Sequence, residues 1–329
     1  MAAWSHRAAD ADLARRLAVA LGVSEPVATV LARLCPDEGE AERHLRPQLA
    51  HVSDPFAVGG LRAAAERLVQ AAAAGERIAI LGDYDVDGVS STAMLVHCLR
   101  RLGAEPAYFV PRRLEEGYGL SMAALDRVLA EARPQLFVAL DCGTNSLTEV
   151  ARLRAAGVEV IVVDHHVAKE GHALCTLVNP RVNDPADAPW QSLCTAGLVF
   201  KLIHGILKVL RLAGDERGTC IAVKDYLDLA ALGTIADLVP LRAENRILAS
   251  HGLRALGEAR RPGLRALIAV SGMEPGGVLT SVDVSYRLGP RINASGRLAD
   301  ASLPLNLLLA EAADECERDA AQLDAINRE

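Results

Sequence analysis

Between residues 60 and 163 the chain alternates regularly between helix-patterned stretches and short aliphatic runs, and this alternation constrains the fold more than any other feature. "LRAAAERLVQAAAAG" reads as a helix closed by Gly75. "RIAIL" (77–81), "PAYFV" (106–110), "LFVAL" (136–140) and "VEVIVV" (158–163) read as strands. Between them, "STAMLVHCLRRLG", the segment from Ser121 and "SLTEVARLRAAG" (146–157) carry helical spacing, with Ser121 as an N-cap. Strands separated by helices imply an α/β fold with a parallel sheet flanked by helices on both faces. In such sheets ligands bind beyond the carboxyl ends of the strands.

The residues that follow each strand therefore carry the functional signal. After the first strand comes "GDYDVDG", with Asp83, Asp85 and Asp87. After the third comes "DCG", with Asp141, and after the fourth "DHH", with Asp164, His165 and His166. The second leads to "PRRLEEGYG", with Arg112, Arg113, Glu115 and Glu116. Each signal is ordinary alone: Asp83 or Asp164 as a helix cap or turn former, a DxD in a loop, a surface histidine pair. Their repetition after successive strands points to one cluster of carboxylates and imidazoles. Crowded acids repel and raise one another's pKa values. Cations relieve this, and oxygen-rich ligands with imidazole suit Mn²⁺ or Mg²⁺. The ligand count suggests two ions sharing a carboxylate, a site that activates water for phosphoryl displacement. Asp237, within "LDLAALGTIADLVPL", is compatible both with a further ligand and with a solvated acid in a helix C-terminal turn.

The chain has 329 residues, 51% hydrophobic and 23% charged, enough for one large or two modest domains. The N-terminal "MAAWSHRAADADLARRLAVALG" mixes charges into its apolar positions, unlike a signal peptide or membrane span. Seven cysteines without a CxxC pair fit reduced thiols in a cytoplasmic protein better than disulfides or a zinc site. The net charge of −7 argues against general nucleic-acid binding. Residues 240–300, however, hold nine arginines against five acids. After residue 190 the pattern is mainly helical, at about 193–212, 218–235, 241–257 and 262–270. "SVDVSYRLGPRINASGR" is less regular, and 305–329 reads as a nearly unbroken helix.

These motifs together resemble the DHH phosphoesterase superfamily and, within it, the RecJ group of single-strand-specific exonucleases. The likeness runs from "DPFAVGGLRAAAERL" through "GDYDVDGVSST", "VPRRLEEGYGLS", "DCGTNS", "VVDHH", "LVNPR" and "CTAGLVFKL". "GTIADLVPL" and "GPRINASGRL" single out RecJ, and the first 50 residues carry little of the likeness. The resemblance implies a metal-dependent exonuclease acting 5′ to 3′ on single-stranded DNA, in repair and recombination, with two Mn²⁺ or Mg²⁺ ions. Asp85 and Asp87 match paired metal ligands, with Asp83 as an additional acid in the metal set. Asp141 matches the bridging carboxylate and His165 a ligand. His166 matches a ligand or a scissile-phosphate contact, so Asp141, His165 and His166 form the implied catalytic set. Asp164 matches a group orienting a histidine, and Asp237 the last metal ligand. Arg291, Asn293 and Arg297 match phosphate contacts, and Arg113 a DNA contact.

The expected organisation is an N-terminal helical extension (1–60), a DHH α/β metal-binding domain (61–190), a mainly helical part of the same core (191–304) and the start of a long linker helix (305–329). The family's DHH-associated and OB domains have no counterpart in the pattern. This suggests a fragment or a further domain beyond residue 329, through which a single-strand-binding protein or helicase would be engaged. No membrane association is expected. Two other readings stay open: an oligonucleotide or cyclic-dinucleotide phosphodiesterase, and a non-catalytic DHH-type scaffold. A dinucleotide-binding fold is disfavoured, because "GDYDVDG" puts acids where a pyrophosphate would sit.

Overall fold

The computed structural model describes residues 8–113, 115–169, 171–296 and 301–329. One sheet contains β1 (Ile78–Gly82), β2 (Ala107–Phe109), β3 (Leu136–Leu140), β4 (Glu159–Val163) and β5 (Thr176–Val178). Their order is β2-β1-β3-β4-β5, and all neighbours are parallel. The first four are the strands expected from the aliphatic runs. β5, three residues long, is too short to show a period.

Side chains alternate between two cores, as a sheet covered on both faces requires. Ile78, Ile80, Val138, Leu140, Ile161 and Val163 join one core, and Ala79, Leu81, Phe137, Ala139, Val160 and Val162 the other. The helix Val86–Arg101 lies against the first face, and Met122–Glu131 and Leu147–Ala155 against the second. The connection after β1 runs over one face toward β2 and the connection after β3 over the other toward β4, which opens a crevice between the ends of β1 and β3.

The first core runs without a break into the helical half, through Thr195–Leu212, Leu227–Ala236, Ala243–Gly257 and Pro262–Val270 as far as Leu323. Consequently Val86–Arg101 is buried nearly all round. The helices Ala11–Leu21, Glu25–Leu34 and Glu38–Leu45 close a small separate cluster around Leu17, Ala28 and Ala41. No single described helix is long and apolar enough to cross a membrane.

Three helical expectations need correction. The segment 218–235 is broken into Arg217–Cys220, a 3₁₀ turn Val223–Tyr226 and Leu227–Ala236, since Ile221 and Ala222 are extended. The irregular-looking segment is helical from Ser281 to Ser295, with a π turn over Val284–Leu288. That turn precedes Pro290, which lacks the N–H that a regular α ladder needs. The terminal helix is two helices, Leu303–Leu309 and Ala313–Arg328, because Ala310 and Ala312 are extended. The first is apolar on nearly every side and the second only along Cys316, Ala320 and Leu323. Both bury their apolar surface only if the chain turns between them, and helix-forming residues such as Ala and Glu hide that turn in the sequence.

A buried ion pair ties the segment before β1 to the helical half. Lys201 and Glu244 are almost completely buried, with Nζ 2.8 Å from Oε2. Lys201 Nζ also donates to Ser53 Oγ at 2.7 Å, and Ser53 donates its hydroxyl to Glu244. Removing one partner of such a pair costs about 3–5 kcal/mol, because the other charge is stranded. Lys201→Met should therefore lower the urea unfolding midpoint sharply. Lys201→Met combined with Glu244→Gln should recover much of the loss, and additive losses would contradict the pairing.

Candidate metal centre

Strand register brings the acids together. Gly82 pairs with Leu140, and Leu140 with Val163. Asp83, Asp141 and Asp164 therefore follow their strands at the same level. The ladder continues through them: Asp83 N–H donates to Leu140 O at 3.2 Å, Asp141 N–H to Val163 O at 3.0 Å and Asp164 N–H to Val178 O at 3.0 Å. Asp141 takes a left-handed backbone with φ 62°. That conformation costs a non-glycine residue of order 1 kcal/mol, and such strain clusters at functional sites.

His165 Nε2 is the point of convergence. It lies 3.4 Å from Asp141 Oδ1, 3.7 Å from Asp237 Oδ2 and 3.9 Å from Asp87 Oδ2. Two donor groups meet there: Asp87, His165 and Asp237, and Asp141, His165 and His166. An imidazole nitrogen has one lone pair and holds one ion, so any bridge between two ions falls to a carboxylate. Asp85 caps the helix Val86–Arg101 by accepting from Gly88 N–H at 2.9 Å. Its charge is felt by Asp83, Asp87, Asp141 and Asp237.

The helical half holds these acids in place. Asp87 accepts from Thr195 N–H at 2.8 Å and Ala196 N–H at 2.7 Å, in the first turn of Thr195–Leu212. The positive end of that helix faces a carboxylate, the favourable arrangement. Thr195 Oγ1 donates to Asp141 Oδ1 at 2.9 Å. Gly233 allows Leu227–Ala236 to approach, because a Cβ there would lie 2.9 Å from Asp87 Oδ1 and 2.5 Å from Ala196 Cβ. Asp237 caps that helix at its C-terminal end, where the dipole disfavours an anion.

Asp164 orients rather than joins the donor groups. Its Oδ1 accepts from His165 N–H at 2.7 Å and lies 2.7 Å from His166 Nδ1. Its Oδ2 accepts from Thr144 N–H at 3.0 Å. Burial alone would raise this carboxyl, but His166 and Thr144 outweigh it and hold it below the usual range. The hydrogen bond to Asp164 in turn raises His166, whose Nε2 is left to meet a ligand. Burial lowers His165. Asn179, fully buried, donates to Thr144 Oγ1 and His166 O, both at 2.9 Å, and so fixes the loop.

Other site residues predicted from the sequence lie differently. Asp83 is outside both donor groups; it accepts from Tyr84 N–H at 2.9 Å and from the Gly119 amide. Arg291 commits its guanidinium to Asp324 at 2.8 Å and to Arg287 O at 2.7 Å. Asn293 is exposed on the same helix, and Arg297 lies outside the described residues. Arg113 packs over the rings of Tyr84 and Tyr118. Thr195, Ala196, Thr144 and Asn179 were not foreseen. Thr195 opens an apolar helical run, and the first turn of a helix leaves amides free for a carboxylate.

The acids strain against one another. Burial pushes the Asp83 and Asp237 carboxyls up to about 6, with Asp85 adding to both. Burial, then Asp87 and Asp85, pushes Asp141 well up. For Asp237 the sign follows directly. Below pH ~4 the group is protonated in both folded and unfolded chains. As pH rises toward 6 the unfolded chain ionises first, and the resulting loss of stability persists at neutral pH. Metal-free protein carrying Asp237→Asn should therefore melt higher than wild type at pH 7.5, by roughly 2 °C or more. The gap should vanish near pH 4; a variant that melts lower at pH 7.5 would refute the electrostatic reading.

The profile of the DHH family, N-terminal domain, matches residues 77–234, the span that carries all of these acids except Asp237. The single-stranded-DNA-specific exonuclease RecJ of Bacillus subtilis is 36% identical over 328 residues, covering 99% of this chain and 40% of the relative. Its Escherichia coli counterpart is 40% identical over 277 residues, covering 82% and 48%. The chain thus spans about half the length of the curated relatives it matches. A crystal structure of exonuclease RecJ bound to manganese superposes with a TM-score of 0.74 at 37% identity, over 85% of this chain and 68% of that one. RecJ from Thermus thermophilus in complex with Mn²⁺ gives 0.79 at 33% identity, over 96% and 44%. With the DHH profile matched, and 37% identity to a RecJ chain of which 68% is covered, this chain belongs to the RecJ family of DHH phosphoesterases.

Proposed function

We propose that the chain is the catalytic core of a two-metal phosphodiesterase that removes 5′ mononucleotides from single-stranded DNA, in a cytoplasmic repair or recombination setting. The observation that carries this reading is the convergence of Asp87, Asp141 and Asp237 on His165 Nε2, with Asp85 beside them. The donor set of carboxylates and imidazole, with no thiolate among the donor groups, fits Mn²⁺ or Mg²⁺. Asp85, Asp87, Asp141, His165 and Asp237 would hold the ions, with Asp83 bracing the loop that carries Asp85. Such ions supply an activated water and offset the charge on phosphoryl oxygens.

The protein's own groups do the rest. The Thr195 hydroxyl fixes one Asp141 oxygen, and the amides of Thr195 and Ala196 fix Asp87, so the ligands need little reorganisation. His166, kept cationic to higher pH by Asp164, presents Nε2 as a donor to a phosphate oxygen. The segments 61–190 and 191–304 act as one unit, with 1–60 as a flanking extension. Partner proteins such as a single-strand-binding protein or a helicase would bring the single strand to this core. A preference for short oligonucleotides is the second reading, since the chain spans only part of its relatives' length.

With Mn²⁺, the protein should degrade 5′-phosphorylated single strands and leave duplex ends intact. Asp141→Ala should lower the rate by on the order of 100-fold or more, at least the loss that outer-shell substitutions can cause. Undiminished digestion by that variant would rule out the site. Faster turnover of dinucleotides than of long strands would favour the short-substrate reading. Mn²⁺ should also raise the melting temperature of wild type and raise that of Asp237→Asn much less.

A further inference from the structure

We propose that a cavity at the pole of the molecule opposite the metal centre is a second ligand site, shaped for a nucleoside monophosphate. Its volume is about 630 Å³, a size common among small-molecule sites. The helices Val86–Arg101 and Leu227–Ala236 run between the two places. Asp85 and Asp237 cap the ends that meet the metal centre, while Arg101 and Leu227, at the other ends, line the cavity. The 10 residues of Leu227–Ala236 span about 15 Å, so the two sites are separate. The cavity therefore stands on its own geometry, and it holds whether or not the metal centre cleaves DNA.

Most charges on its wall are already spent on one another. Arg101 pairs with Asp225 at 3.0 Å, Arg260 with Glu258 at 2.8 Å and Arg261 with Asp228 at 2.8 Å. Lys224 and Arg254, on the same wall, make no ion pair among the described residues. Of the acids on the wall, only Glu311 lacks such a partner among the described residues. Two cations against one carboxylate leave a positive excess here, in a chain whose net charge is −7. His97, also on the wall, feels this field: burial, then Arg261 and Arg101, push its imidazole down to about 4. It is neutral at pH 7 and adds no charge of its own.

The cavity is also rigid and partly apolar. Arg261 donates from Nε to Asp228 and from Nη2 to the Asp225 carbonyl at 2.7 Å, and its guanidinium lies 5.7 Å from the Tyr226 ring centroid. Leu308 and Leu309, from the end of Leu303–Leu309, supply an aliphatic surface beside Leu227 and Pro262. A fitting ligand has an anionic end for Lys224 and Arg254, a body for the leucines and a hydroxyl that donates to Glu311. A phosphate suits both cations, lysine as a point charge and arginine as a fork. A nucleoside monophosphate carries all three parts. Inorganic phosphate has no body for the leucines, and a nucleoside has no charge for the cations. A free ribonucleotide and a released deoxynucleotide share this chemistry.

Isothermal titration calorimetry in EDTA, which keeps the metal centre free of ions, tests the site with AMP, dAMP, adenosine and inorganic phosphate. Wild type should bind one nucleotide, and should bind adenosine and inorganic phosphate each on the order of tenfold more weakly. The variant Lys224→Ala/Arg254→Ala should lose roughly tenfold or more in nucleotide affinity and keep its melting temperature, since both side chains are exposed. His166→Ala, at the metal centre, should bind nucleotide as wild type does. AMP binding tighter than dAMP supports the site with a ribonucleotide as its ligand, and equal binding supports it with the released product. Absence of nucleotide binding by wild type at millimolar concentration overturns the proposal. So does undiminished binding by the double variant, or inorganic phosphate that binds as tightly as AMP. Loss of binding in His166→Ala also overturns it, because the nucleotide would then sit at the metal centre.

Discussion

The register of the parallel sheet is the constraint on which the rest of the structure depends. Gly82, Leu140 and Val163 stand side by side, so three chain segments release an aspartate at one height. A slip of one residue in any pairing would turn that strand's side chains toward the opposite core. Ile80, Val138 and Ile161 share one core, and Ala79, Phe137 and Val160 the other. The same burial that sets the register therefore sets the site. Fold stability and ligand placement are enforced by one set of aliphatic contacts.

The acids that gather there oppose folding, and the protein offsets this largely with backbone and hydroxyl dipoles, with His166 as a cationic partner for Asp164. Asp87 faces two helix N-terminal amides, and Asp141 receives the Thr195 hydroxyl. Asp164 is satisfied by the Thr144 amide and His166. Asp237 has no such help: it stands at the wrong end of a helix dipole, and its carboxyl is pushed up to about 6. Such an arrangement becomes favourable only when a cation joins it. The site is preorganised on the protein side and left electrostatically incomplete.

The helical half is more than a cover. It supplies Thr195, Ala196 and Asp237, and its core is continuous with one face of the sheet. The buried pair Lys201–Glu244 extends that unit to Ser53, far earlier in the chain. Small residues make these approaches possible. At Gly252 a Cβ would lie 2.3 Å from both Ala231 Cβ and Leu227 O, so the helices of Asp237 and Glu244 touch at backbone distance.

The sequence by itself determined the alternation of strands and helices, hence the sheet, its two cores and the edge at which polar residues gather. It also determined the acids and histidines of that edge, because each follows an aliphatic run that can only be a buried strand. Period and burial are local properties, and a linear pattern carries them. Only the tertiary structure decided which acids converge: Asp83 turns to backbone amides, while Asp237, more than 90 residues beyond β3, comes to His165. It also decided that Arg291 pairs with Asp324 and that the final helix breaks after Leu309. These depend on contacts between segments far apart in the chain, where helix propensity and motif spacing say nothing about partners. Thr195 and Asn179 escaped notice for the same reason: a hydroxyl or an amide is generic until the fold shows which buried group it must satisfy.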